Sequence, residues 1–200
     1  QGGLGSPSGG LHSDFRTPEY SAAKEIESRK WEACRGMGYS FGYNRLEQDE
    51  HFIAPETLVR SFVDIVSKNG NLLLNVGPMA DGTIPEIQMR RLRAMGAWLK
   101  VNGEAIYGTR PWTRAEGQTA DGTPVRFTQR GDALYAILLD TPAAAQVVIR
   151  DLALPAVAEA RLLGNPAPVR WTQQGADVAL DVPQPWPDSP AHALKFAPVR

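Results

Sequence analysis

Apolar positions first fall into a helical rhythm at Pro55. In PETLVRSFVDIVSKNG, Leu58, Phe62, Ile65 and Val66 share one face, while Arg60, Asp64 and Lys68 take the other. Asn69-Gly70 supplies a C-terminal stop. The period then breaks. NLLLNVG is almost continuously apolar through Leu72, Leu73, Leu74 and Val76, the pattern of a strand covered on both faces. PMADGT reads as a loop, after which Pro85 and Glu86 open a second helix closed by Gly103. Its candidate core positions are Ile87, Leu92, Met95, Trp98 and Leu99. Helix, buried strand, loop and helix in that order predict an α/β arrangement with parallel strands, whose reactive groups sit on loops beyond the strands' carboxyl ends.

After about Trp112 the pattern changes again. PVRFTQ, ALYAILLD, AQVVIRD, AEARLLG, PVRWTQ, ADVALDV and AHALKFAPV are short β-prone runs separated by Arg130-Gly131-Asp132, Gln174-Gly175-Ala176 and several prolines. Such spacing predicts an antiparallel β-sandwich. The fold class is therefore α/β plus all-β, with a boundary expected between residues 113 and 114. If the parallel strands belong to a (β/α)8 barrel, for which about 250 residues are typical, residues 1–113 hold only its last few β/α units.

Composition narrows the chemistry. Twenty-one basic and 22 acidic residues leave a formal charge of −1, with no basic patch for nucleic acid or an anionic membrane. No apolar run is long enough to cross a bilayer. Cys34 is the single cysteine, so no intrachain disulfide is possible. His12, His51 and His192 lie far apart and in no metal-ligand spacing, so no metal is expected; no organic cofactor is expected either. The opening QGGLGSPSGG reads as a linker or a long loop.

DFRTPEY, Asp14 to Tyr20, carries the sharpest ambiguity. Thr17 as an N-cap, Pro18 at the first helical position and Glu19 against the helix dipole spell an ordinary helix start. The local chemistry favours that reading; the competing one is that Glu19 is a carboxylic acid placed to donate a proton to a departing sugar.

DFRTPEY through KWEACRGMGYSFGYNR, then LVRSFVDIVSKNGNLLLNVGPMADGTIP and WLKVNGEAIYGTRPW, resemble the C-terminal half of the α-L-fucosidases of glycoside hydrolase family 29. The resemblance spans residues 14–112. It implies retaining hydrolysis of terminal α-L-fucose from a fucosylated glycan, by an aspartate nucleophile and a separate glutamic general acid/base, with a small β-sandwich after the barrel. The acid/base implied is Glu19, in an Asp-Phe-x-Thr-x-Glu-Tyr segment; Glu32, beside Trp31, is the alternative. Phe41 in GYSFGYNR is implied to pack on the sugar's C6 methyl, with a plain core role as the competing reading. The nucleophile matches no residue here and is expected in the preceding half of the barrel, so these 200 residues alone are expected to be inactive. The resemblance also implies a secreted, periplasmic or lysosomal enzyme, and the Ala, Pro and Arg bias points to a bacterial source. Two other readings stay open: a non-catalytic carbohydrate-binding module working through the β region, and a barrel glycosidase with a different sugar preference.

Overall fold

A computed structural model describes residues 16–144 and 146–199; Asp14, Phe15, His12 and the glycine-rich opening lie outside the described residues. Two compact units divide between Gly96 and Ala97.

In the first unit, β1 (Trp31–Gly36) runs parallel to β2 (Gly70–Asn75), in register from Trp31 beside Gly70 to Gly36 beside Asn75. The crossover between them carries α1 (Pro55–Ser67). Pro55 at the helix start and Glu56 in the first turn suit the orphan N–H groups there. Asn69, at φ 72°, adopts the left-handed conformation that ends α1, and its side-chain amide donates to the Glu27 carbonyl at 2.9 Å. Gly70 serves a different need: a Cβ there would lie 2.6 Å from the Trp31 ring.

Alternation along β1 separates two faces. Trp31 and Ala33 pack with Ile65, Leu72 and Ala23 on the α1 side, and the Trp31 indole donates to the Lys68 carbonyl at 2.9 Å. The buried face of α1 is Leu58, Val59, Val63 and Ile65; Phe62 and Val66, expected to share it, are half-buried. Lys68 also departs from expectation. It is buried rather than solvated, because Asp64 one turn earlier meets its ammonium at 2.9 Å. Nor is β2 covered on both faces, since Leu73, in register with Cys34, is 51% exposed.

The segment from Arg16 to Tyr20 corrects the helix-start reading. It is extended and lies parallel to β1, with bridges from Arg16 to Trp31 and from Glu19 to Cys34. The Glu32 N–H donates to Arg16 O at 2.8 Å, Cys34 N–H to Pro18 O at 3.1 Å and Tyr20 N–H to Cys34 O at 3.1 Å. Thr17 therefore caps nothing. Pro18, which lacks an N–H, is tolerated because only its carbonyl is needed on this side.

Helix α2 (Glu86–Asn102) leads into the second unit. There Trp98 is buried, and its indole donates to Ala191 O at 2.9 Å. Of the other expected core positions on α2, Ile87, Leu92, Met95 and Leu99 are only half-buried. A 3-10 turn, Gly103–Ala105, follows. Glu104 in that turn is a hub: Tyr135 donates to it at 2.9 Å, Lys195 at 2.5 Å, and Arg130 lies 3.3 Å away. The Lys195 hydrogen bond, foremost, holds the Glu104 carboxyl below its ordinary range, while burial first and then Glu104 push the Tyr135 phenol up to about 12.

The seven expected β runs all form strands: β4 (Pro124–Arg130), β5 (Ala133–Leu138), β6 (Gln146–Ile149), β7 (Glu159–Leu162), β8 (Pro168–Gln174), β9 (Asp177–Asp181) and β10 (His192–Ala197). An eighth, β3 (Arg110–Gln118), precedes them. They pair antiparallel in the order β3-β4-β5-β10-β7-β8-β9-β6. The first residues of β8 pair with β7 and the rest with β9, and Thr119 bridges back to Ile149, so the sheet curls until its two ends meet. Inside lie Phe127, Leu134, Leu138, Leu162, Leu180, Leu194 and Phe196, with Trp112, Trp171 and Trp186 packed at the margin.

Candidate active site

The carboxyl ends of the three parallel segments are Tyr20, Gly36 and Asn75. Glu19 lies one residue short of that end and, as the bridge partner of Cys34, on the face of the strands opposite α1. It is exposed, and its carboxylate makes no hydrogen bond or ion pair with the described residues. Glu32 is on the same face by alternation but two residues further from the strand ends, and it is half-buried.

Tyr20 turns back over the end of β1 with φ at 50°, a conformation uncommon for a bulky side chain. Its hydroxyl accepts the Gly36 N–H at 3.0 Å and points to Gly38 O at 3.4 Å. Its ring meets Phe41 edge-on at 5.2 Å between centroids, with the Arg35 guanidinium 5.5 Å from its centre. Tyr20, the residue after Glu19, thus brings its ring against Phe41 at the carboxyl end of the strands. Phe41 is half-buried, so its ring is not consumed by packing.

The loop after β1 is built rigidly. Ile53 N–H donates to Met37 O at 2.8 Å, and the Ser40 N–H to Glu47 Oε1 at 2.8 Å. The buried Arg91 pins the far side, donating to Ile53 O at 2.7 Å and to the Asp49 carboxylate at 3.0 Å. The Asn75 side-chain amide donates to Phe41 O. Gly77 closes the seam, for a Cβ there would fall 2.5 Å from Tyr43 N. The string GNLLLNVGP therefore has physical reasons at Gly70, Asn75 and Gly77: each lets the strand or its following loop fit against a specific neighbour. Beside these loops is a cavity of about 280 Å³ lined by Tyr43, Asn44, Glu47, Phe52, Met79 and Gln88. A larger one, about 410 Å³, is lined by Arg16, Pro18, Ser21, Ala22, Glu27 and Trp31.

Sequence reasoning placed Glu19, Glu32 and Phe41 in the candidate site but gave Tyr20 no structural role. Its signal was its place beside Glu19 and the glycine at 36, where a Cβ would fall 2.7 Å from its hydroxyl. No group of His, Cys, Asp and Glu that could hold a metal ion occurs among the described residues.

The family model for α-L-fucosidase matches residues 5–104. The α-L-fucosidase of Branchiostoma floridae is 36% identical over 160 residues, covering 79% of this chain and 35% of that protein. Human plasma α-L-fucosidase is 39% identical over 161 residues, covering 78% and 34%. The chain thus spans about a third of the length of these relatives. Among solved structures, the Thermotoga maritima α-fucosidase in complex with fucose superposes with a TM-score of 0.83 at 41% identity, over 94% of this chain and 43% of that one. The α-L-fucosidase isoenzyme 1 of Paenibacillus thiaminolyticus gives 0.78 at 30%, over 92% and 44%. With half of its residues in the family model, and its parallel strands, loops and curled sheet superposing on solved members, this chain belongs to the α-L-fucosidase family.

Proposed function

We propose that the chain is the C-terminal part of a retaining α-L-fucosidase acting on terminal α-L-fucose of glycans. In this reading residues 1–113 are the last β/α units of a (β/α)8 barrel and residues 114–200 a β-sandwich. Parallel β1 and β2 with α1 in the crossover support the first part, and the curled antiparallel sheet supports the second. The observation that supports the activity is the contact of Tyr20, the residue after Glu19, with Phe41 at the carboxyl ends of parallel strands, where barrel enzymes keep their chemistry.

Glu19 is the general acid/base. An aspartate supplied by the rest of the barrel attacks the anomeric carbon as the Glu19 proton passes to the departing oxygen. The Glu19 carboxylate then takes a proton from water, which attacks the fucosyl ester and frees the aspartate. This double displacement needs the two carboxyl groups about 5 to 5.5 Å apart. Glu32, deeper along β1, is the alternative acid. Phe41 offers an apolar face to the C6 methyl of fucose. The half-buried tryptophans of the curled sheet pack against its core, which favours a supporting role for that unit over a sugar-binding row of aromatics. A secreted, periplasmic or lysosomal setting is carried over with the family, the secreted one in keeping with relatives named plasma α-L-fucosidase, and the Ala, Pro and Arg bias favours a bacterial source; among the described residues no helix is long and apolar enough to cross a membrane.

The test is Glu19→Gly in the full-length enzyme. Hydrolysis of an alkyl fucoside is expected to fall by about 10²- to 10⁴-fold, the usual worth of a positioned acid. Azide should restore turnover of an activated aryl fucoside. Near-normal hydrolysis of the alkyl fucoside removes Glu19 from the mechanism.

A further inference from the structure

We infer that Tyr20 is a positioning residue that sets the proton donor against the sugar pocket; the inference rests on the fucosidase reading above. Among the described residues, backbone bonds set where Glu19 stands: Cys34 N–H to Pro18 O before it and Tyr20 N–H to Cys34 O after it. On one side that backbone is held by the bridge to Cys34. On the other it is held by Tyr20, whose hydroxyl accepts the Gly36 N–H at 3.0 Å at the very end of β1. Gly36 is shaped to this contact, for a Cβ there would fall 2.7 Å from the Tyr20 hydroxyl.

The same ring is flanked by Phe41 and Arg35. Tyr20 therefore couples the donor at Glu19 to the ring at Phe41, and sets their separation. It does so from φ 50°, and backbone held in a sparsely populated region where neighbours over-determine it is a mark of functional sites. Proton donation depends steeply on placement: a shift of about 1 Å can cost on the order of a hundredfold in rate. Loss of the hydroxyl removes the tie to the Gly36 N–H, while the Tyr20 N–H bond to Cys34 O and the ring contacts remain.

The experiment measures kcat/KM of the full-length enzyme and its Tyr20→Phe variant on two fucosides. One has an alkyl leaving group that needs a proton; the other has a dinitrophenolate that does not. The variant is expected to lose roughly 30- to 100-fold on the alkyl fucoside and less than about threefold on the dinitrophenyl fucoside. The basic limb of its pH profile on the alkyl substrate should shift, and its Tm should stay within a few degrees. Tyr20→Leu, which removes ring and hydroxyl, should keep the split and add a further loss common to both substrates, because Phe41 is released too. Equal losses on both substrates, or no loss in either variant, overturn the role while leaving the fucosidase reading intact. Absence of hydrolysis by the unsubstituted enzyme on both substrates overturns that reading and this role together.

Discussion

The two units solve the problem of covering a sheet in opposite ways. In the curled antiparallel unit β5 is buried at every position from Ala133 to Leu138, and apolar residues of β4 to β10 meet inside one enclosed core. In the parallel unit only the α1 side of the strands is covered, by a cluster around Trp31, Ala33 and Ile65, and the other face presents Glu19, Glu32 and the half-exposed Leu73. A closed core can be read as stability. The candidate acids Glu19 and Glu32 stand on the face of the parallel strands that these 200 residues leave uncovered.

Three substitutions or conditions sharpen that contrast. The largest effect is expected inside the closed core: Phe196→Ala, at a fully buried ring, should cost about 3 to 5 kcal/mol, read from chemical denaturation. Acid should act next, and on the same unit. His192 is 2% exposed, 2.8 Å from the Thr141 hydroxyl and against the Trp186 ring, and burial, opposed only by Asp140, brings its imidazole down to about 4. A histidine with a folded pKa below its ordinary 6.5 leaves the unfolded chain holding more protons between those values. Stability is therefore full above pH 6.5 and falls as the pH drops towards 4, by on the order of 3 kcal/mol. His192→Gln should flatten the profile of Tm against pH in that window; an unchanged slope assigns it to other groups. The smallest effect belongs to the bare face. Leu73→Ala in the 200-residue chain should move stability by no more than about 0.5 kcal/mol, as for an exposed position. The same change in the full-length enzyme should cost about 2 to 5 kcal/mol if a closed barrel covers Leu73.

Where pattern and fold agree, a strong local period is present. The runs around Val125, Leu134, Val147, Leu162, Val169, Leu180 and Leu194 alternate or are continuously apolar between turn residues, and each became a strand. β3 was not legible because RPWTRAEGQ has Pro111, Gly117 and three charged residues in nine, buries only Ala115, and carries a register shift between Pro111 and Glu116. At residues 16–20 the local signal pointed the wrong way. Thr-Pro-Glu fits a helix start, but β1 offers backbone partners that an isolated segment lacks, and pairing with Glu32 and Cys34 prevails. Burial of Lys68 and Arg91 was hidden for a related reason, since Asp64, Asp49 and Ile53 O satisfy them only once the chain has folded. Glu19 and Phe41 stood out as residues, but the contacts of Tyr20 with Gly36 and Phe41, which bring the residue after Glu19 against Phe41, exist only in three dimensions.

The most direct measurement is a crystal structure of the full-length enzyme with a fucose-derived inhibitor covalently trapped on its nucleophile. The account predicts the Glu19 carboxyl about 5 to 5.5 Å from the nucleophile's carboxyl and within hydrogen-bond reach of the departing oxygen's position, with the Phe41 ring on the C6 methyl. Glu32 or another carboxyl in that place, with Glu19 directed into solvent, would contradict it.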